Sequence, residues 1–131
     1  MTAAATETLK KVPLFAGLDD RELEKIASSM RERRYEAGAT VTEEGASGVG
    51  FFVVEEGEAD ITVDGEPKGS IGPGDYFGEI ALLTDSRRTA TIVARTDMLC
   101  HGLVTWEFRP LVESNKEIAW KLLTAMAEKL G

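Results

Sequence analysis

Histidine and cysteine are nearly missing from this chain. Its 131 residues hold one of each, His101 and Cys100. A cupin-like metal enzyme uses several histidines and an iron–sulfur sensor several cysteines, so both chemistries are set aside. A single cysteine makes no internal disulfide, which fits a reducing, cytoplasmic setting. Long apolar runs are lacking too: none reaches the ~20 residues that cross a bilayer. The opening MTAAATETLKKV has neither the basic start nor the apolar stretch of a secretory signal. No membrane contact is expected of this chain. Positive charge is scarce, with 15 Lys and Arg against 23 Asp and Glu, a net charge of −8. A nucleic-acid binder carries a basic patch. The densest one here is Arg31, Arg33 and Arg34, which reads as a solvated helix end, so no nucleic-acid partner is expected. No catalytic nucleophile stands out. His101 lies in an apolar strand and reads as a satisfied structural histidine, so the expectation is not an enzyme.

What is present suits one domain, residues 1–131, long enough to bury roughly two-thirds of the surface its unfolded chain exposes. The first part, 1–35, reads as helical. Val12-Pro13-Leu14-Phe15 is an apolar knot broken by proline, suited to a helical turn on the core. In Leu18-Asp19-Asp20-Arg21-Glu22-Leu23, Asp19 can cap a helix, Glu22 completes a capping box, and Leu18 can staple to Leu23. Leu23, Ile26, Ala27 and Met30 continue at helical spacing.

The middle, 36–104, changes character. Ten of the thirteen glycines fall between residues 38 and 78. They punctuate short strand-like runs at 40–42, 51–54, 59–63 and 68–71, with two more at 89–95 and 98–104. Strands at that pitch predict a β-sandwich or a small antiparallel barrel. The last part, 105–131, returns to helix. Thr105 can cap a helix over 106–112, and Ser114 with Glu117 forms a second capping box. Ile118, Leu122, Met126 and Leu130 make an i, i+4 stripe, suited to core packing or a dimer seam. Trp106 and Trp120 read as packing residues, Trp120 also as a surface for a partner. The class is α+β: a β-roll between helical ends.

Within the roll, residues 77–91 read FGEIALLTDSRRTAT. The run 78–83 is long enough for one or two helical turns, whose free N–H groups and partial positive charge suit an anion. Gly78 lets a ligand approach the backbone, and Ala81 is also small. Arg88 offers a planar fork for a phosphate. Glu79 is an acceptor suited to a sugar hydroxyl. The same two side chains also suit a structural ion pair tying the turn to the next strand.

This stretch resembles the phosphate-binding cassette of cyclic nucleotide-binding domains, Phe-Gly-Glu-aliphatic-Ala-Leu-aliphatic, four variable residues, then Arg-(Ala/Thr/Ser)-Ala-(Thr/Ser). Here it runs Phe77-Gly78-Glu79-Ile80-Ala81-Leu82-Leu83, four residues, then Arg88-Thr89-Ala90-Thr91. The resemblance covers nearly the whole chain, from Leu9-Lys10-Lys11-Val12-Pro13-Leu14-Phe15 through Phe51-Phe52-Val53-Val54 to a C-terminal helix at 115–130. It implies a jelly roll flanked by helices, with no cofactor and with cAMP, or cGMP, as ligand. Arg88, Thr89, Ala90 and Ala81 would hold the cyclic phosphate. Gly78, Glu79 and Ile80 would hold the ribose, with Glu79 accepting from its 2′-hydroxyl. Val63, Ile71 and Thr89 would line the base. Met126 or Lys129 could reach the base as a lid; the alternative, which is favoured, is that Met126 is plain core and Lys129 a solvated helix end. Many members have proline before the cassette arginine. This chain has Arg87, which leaves a looser loop or adds positive charge at the mouth. Thr89 is associated with tolerance of cGMP, yet also occurs in cAMP-preferring domains, and cAMP is favoured here. The resemblance implies a regulatory module that moves its C-terminal helices, with an effector domain, protein partner or second copy to receive the signal. A nucleotide-free interaction module of the same fold is the alternative.

Overall fold

The computed structural model describes residues 3–43, 45, 50–78, 82 and 90–130. Helix α1 (Ala3–Leu9) leads through a 3-10 turn (Pro13–Phe15) into α2 (Asp20–Ser28). Strands β1 (Arg31–Tyr35), β2 (Thr40–Thr42), β3 (Gly50–Glu56), β4 (Ala59–Val63), β5 (Glu66–Ile71), β6 (Tyr76–Phe77), β7 (Thr91–Ala94) and β8 (Met98–Val104) follow. Helices α3 (Thr105–Glu113) and α4 (Lys116–Leu130) come last. Among the described residues the strands form two four-stranded antiparallel sheets, in the orders β1-β8-β3-β6 and β2-β7-β4-β5. Of the sandwich and the barrel that the strand pitch allows, this is the sandwich, two facing sheets rather than one closed barrel, and it is consistent with the jelly roll that the resemblance implies.

Side-chain alternation explains the layering. Phe51 and Val53 of β3 and Leu103 of β8 join a core with Leu9, Phe15, Leu23, Ile26, Phe108, Ile118 and Leu122 from the helical segments. Residues at the alternate strand positions, Val54 on β3 and Met98 and Cys100 on β8, join a second core with Ala59, Ile92 and Ala94. Successive strand residues point to opposite faces, so the β1-β8-β3-β6 sheet lies between the helices and the other sheet. That is why β8 reads as an almost unbroken apolar run: both of its faces are covered. Phe15 connects the layers, with its ring centroid 5.7 Å from that of Phe51 and 6.2 Å from that of Phe108.

Several local expectations hold. The α2 box is complete: Asp19 Oδ1 accepts from the Glu22 N–H at 2.9 Å, and Glu22 Oε1 accepts from the Asp19 N–H at 3.0 Å. Leu18 and Leu23 are both buried as a staple requires. Others need correction. Arg31, Arg33 and Arg34 are not a helix end; they lie on β1, an exposed edge strand, so the roll begins at Arg31 instead of residue 36. Charged residues suit such an edge, because they discourage pairing with another chain. Arg31 also ties the edge to α3 through Glu107 at 3.1 Å.

Thr105 is the first residue of α3, and the capping position falls to Val104. Ser114 caps backwards, donating to the Pro110 and Leu111 carbonyls at 2.9 and 3.2 Å. The carbonyl of Asn115 accepts the first bond of α4, from the Ala119 N–H, so the helix starts one residue later than a Ser114–Glu117 box requires. Trp106 and Trp120 are not core: they are 67% and 68% exposed. The α4 stripe is buried at Ile118 and Leu122 but open at Met126 and Leu130. A packing stripe predicts amphipathicity, not how far the neighbour extends.

Candidate functional site

The FGEIALL…RTAT stretch crosses from one sheet to the other, and both of its ends are fixed. Before it, the 72–75 turn is closed by Asp75: its Oδ2 accepts from the Gly72 N–H at 2.8 Å, and its own N–H donates to the Gly72 carbonyl at 3.0 Å. The Gly74 N–H and the Asp75 carbonyl then bond to Val54 at 3.0 and 2.9 Å, docking the turn on β3. Strand β6 follows, pairing Val53 with Tyr76 and Phe52 with Phe77. The rings of Phe52 and Phe77 stack at 5.2 Å. Gly102 makes room for them: a Cβ there would lie 2.7 Å from Phe52 Cε1. The chain leaves the sheet at Gly78, whose φ of +86° is open to glycine and strained for other residues. The sequence had offered close ligand approach as the reason for this glycine; the backbone turn supplies a second.

Glu79, Ile80 and Ala81, and residues 83–89 with Leu83, Arg87, Arg88 and Thr89, lie outside the described residues. Between them Leu82 is described, and it is 3% exposed, buried in the helix-facing core with Phe108, Ile118 and Leu122. The expectation that apolar residues root this segment therefore holds at Leu82. On the far side Ala90 is half-buried, and its carbonyl accepts from Thr42 Oγ1 at 3.2 Å. Thr91 then opens β7, held between β2 and β4. Arg95, just after β7, bonds Asp60 of β4 through Nε at 3.1 Å. That bond holds the Asp60 carboxyl below its ordinary range and raises Arg95 above its own.

The two apolar base-pocket candidates share a strand face but not a location. Ile71 pairs with Ala59 at one end of β4, and Val63 pairs with Glu66 at the other. Four residues of strand separate these ends, about 13 Å. Thr62 pairs with Thr91, so the register places Val63 beside the Ala90 end of the crossover. Ile71 belongs to the inter-sheet core, just before the 72–75 turn. Of the lid candidates, Met126 is 38% exposed on α4, and the side chain of Lys129 lies outside the described residues. Helix α4 rests mainly on the Pro13–Phe15 turn and on α3.

His101 is only half satisfied. It is buried, and its Nε2 lies 3.0 Å from Glu55 Oε1, while Nδ1 has no hydrogen-bond partner among the described residues. Cys100, in the inter-sheet core, has its thiol pushed up to about 11 by burial, away from the reactive thiolate. No group of three His, Cys, Asp or Glu side chains among the described residues is arranged to hold a metal. No described helix is long and apolar enough to cross a membrane. Two parts of the site gave no clear sequence signal. Thr42 as the clasp on Ala90 follows only from tertiary register. The two-residue β6 is too short for any period to show.

Comparisons with known proteins agree with this geometry. The cyclic nucleotide-binding domain family matches residues 32–115. The chain is 46% identical over 92 residues to a cAMP-dependent protein kinase regulatory subunit of Aspergillus niger, covering 69% of this chain and 22% of that protein. It spans between 22% and 27% of the curated relatives it matches. In three dimensions it is similar to the N-terminal domain of a transcriptional regulator from Streptomyces coelicolor A3(2), with a TM-score of 0.83, 33% identity and coverage of 94% of this chain and 91% of that one. It is also similar to the regulatory domain of Toxoplasma gondii PKA, solved with cAMP, with a TM-score of 0.71, 30% identity and coverage of 82% and 43%. The family match spans well over half of the chain, and the protein belongs to the cyclic nucleotide-binding domain family.

Proposed function

We propose that residues 1–131 form one regulatory sensor domain that binds cAMP in preference to cGMP and passes the event to its C-terminal helices. One observation carries this reading: a segment with the family's cassette spacing is pinned at both ends to the sheets, and its Leu82 is buried in the core that the helices share. In it, Arg88 grips the cyclic phosphate, with backbone N–H groups of residues 78–81 and Ala90 completing the cradle. Glu79 accepts from the ribose 2′-hydroxyl. Val63 and Thr89 face the base at the Ala90 end, with Ile71 contributing from the other end of the hairpin. Closure pulls Leu82, and so shifts α3 and α4, with Met126 or Lys129 meeting the base. Ligand moves this equilibrium only by its differential affinity for the two arrangements. The domain does no chemistry of its own, works in the cytoplasm, and hands its signal to an effector domain or protein partner.

A second copy of the chain is one such partner. Trp120, Leu123 and Leu130 are exposed on α4 at spacings of three and seven, the repeat of a helix–helix seam. Calorimetric titration with cAMP and cGMP tests the main reading. Wild type should bind both, cAMP more tightly, and Arg88→Ala should lose roughly 100-fold, the worth of a charged fork on a phosphate. A folded protein that binds neither nucleotide at millimolar concentration refutes it and favours a nucleotide-free docking module.

A further inference from the structure

Helix α4 rests on the Pro13–Phe15 turn, and beside that contact the two leave a groove of about 700 Å³. Pro13, Ala16 and Gly17 line one side, and Trp120, Thr124 and Glu128 the rim of the other. Small residues keep it open. A Cβ at Gly17 would rest 3.8 Å from Lys121 Cβ, so the two walls meet there, and the half-buried Ala125 adds only a methyl group to the floor. Trp120 stands at the rim with 68% of its surface exposed. Tryptophan is among the residues that most often anchor a protein interface. Helical spacing sets Trp120, Thr124 and Glu128 one turn apart in a line about 12 Å long. Charge along this line is negative. Lys121, the cation among the described lining residues, is already taken: it donates to Glu22 Oε1 at 2.7 Å. That bond holds its ammonium above the ordinary range, and Asp19 and Glu117 add their attraction. Glu128 leaves an exposed carboxylate at the far end. Lys116 lies one turn before Trp120, turned away from Lys121 and Glu128 round the helix.

We propose that this groove docks a short basic segment of a protein partner, with an apolar side chain set against Ala16, Gly17 and Ala125 and a cation at each end, one over the Trp120 ring and one on the Glu128 carboxylate. The negative face of an indole ring attracts a lysine or arginine placed over it, and a guanidinium also matches a carboxylate with two parallel bonds. An acidic segment would meet Glu117 and Glu128 as like charges, which costs affinity and slows encounter. A second copy of the chain is the rival occupant. It would bring a net charge of −8 to an acidic groove. The apolar residues suited to a copy seam, Leu123 and Leu130, lie on the other side of Trp120 from Glu128. The inference goes beyond the sensor reading and stands without it, since no nucleotide takes part.

Display selection of random short peptides on the folded full chain, with counter-selection on Trp120→Ala, reads the chemistry of the occupant directly. Enriched peptides should carry lysine or arginine on either side of apolar residues. A synthetic copy of the most enriched peptide should shift the amides of Ala16, Gly17, Lys121 and Ala125 in an NMR titration, and the shifts should saturate. Trp120→Ala and Glu128→Lys should each weaken its binding by roughly fivefold to thirtyfold, the loss expected of an interface anchor. Leu123→Ala should leave it near wild type. Trp120 and Glu128 are both exposed, so both variants should keep the wild-type urea midpoint, which separates loss of the groove from loss of the fold. Enrichment of acidic or uncharged peptides, shifts that fall outside the groove, or no peptide enriched over Trp120→Ala overturns the proposal. So does a dimer in sedimentation that both Trp120→Ala and Glu128→Lys dissociate, which gives the groove to a second copy.

Discussion

The protein has two cores, and they differ in what reaches them. The inter-sheet core of Val54, Ala59, Ile92, Ala94, Met98 and Cys100 is built from strands alone. The helix-facing core takes side chains from every helical segment, from β3 and β8, and from Leu82 in the middle of the crossover. Sheets held by ladders on both sides yield little, whereas packed helices have alternative arrangements to adopt. The difference teaches where a signal can travel. In the proposed sensor, a pull on the crossover reaches the helix-facing core through Leu82, and the inter-sheet core is the frame against which the movement occurs.

The largest expected effect comes from breaking the side that joins the layers. Phe15→Ala should cost about 3–5 kcal/mol in urea denaturation, because it empties the contact of Phe51 and Phe108 at once. Next, Leu82→Ala and Met98→Ala should each cost about 2–5 kcal/mol in the same measurement, as buried truncations on opposite sides. They should part in function: Leu82→Ala changes the affinity for cAMP several-fold, and Met98→Ala leaves it near wild type. Equal effects on affinity would erase the distinction between the cores. Gly102→Ala should cost about 1–3 kcal/mol by pressing on Phe52, which stacks on Phe77 at the start of the crossover.

A smaller effect separates the cores by pH. The Cys100 thiol sits at about 11 in the folded protein against 9.0 when exposed. A raised folded value gives stability that is complete below pH 9.0 and is lost as pH rises through about 11. Compared with Cys100→Ala, wild type should lose on the order of 2 kcal/mol more stability across that window. Thiol reagents at neutral pH should modify Cys100 only at the rate of unfolding. Fast modification of folded protein would mean that the inter-sheet core opens readily.

Much of this was legible in the sequence wherever local chemistry decides the outcome. The Asp19–Glu22 box, the strands at 40–42, 59–63 and 98–104, and the proline-broken turn at Pro13 depend on residues close in the chain. What depends on distant neighbours was not legible. Arg31, Arg33 and Arg34 carry no apolar alternation, so only pairing with β8 makes them a strand. Trp106 and Trp120 have core-like side chains, yet the neighbouring elements do not extend over them. Ser114 can bond forwards or backwards, and the position of α3 decides which. At the site, the spacing of the cassette was plain, whereas the Thr42 clasp and the separation of Val63 from Ile71 follow from sheet register.

The most direct single measurement is an NMR titration of the folded protein with cAMP, following backbone amides in both cores. The account predicts shifts at Leu82, Phe108, Ile118 and Leu122 that saturate together, with Val54, Ala94 and Cys100 nearly still. Shifts spread evenly over both cores would contradict the division between frame and moving part. No shift at millimolar cAMP would contradict the sensor itself.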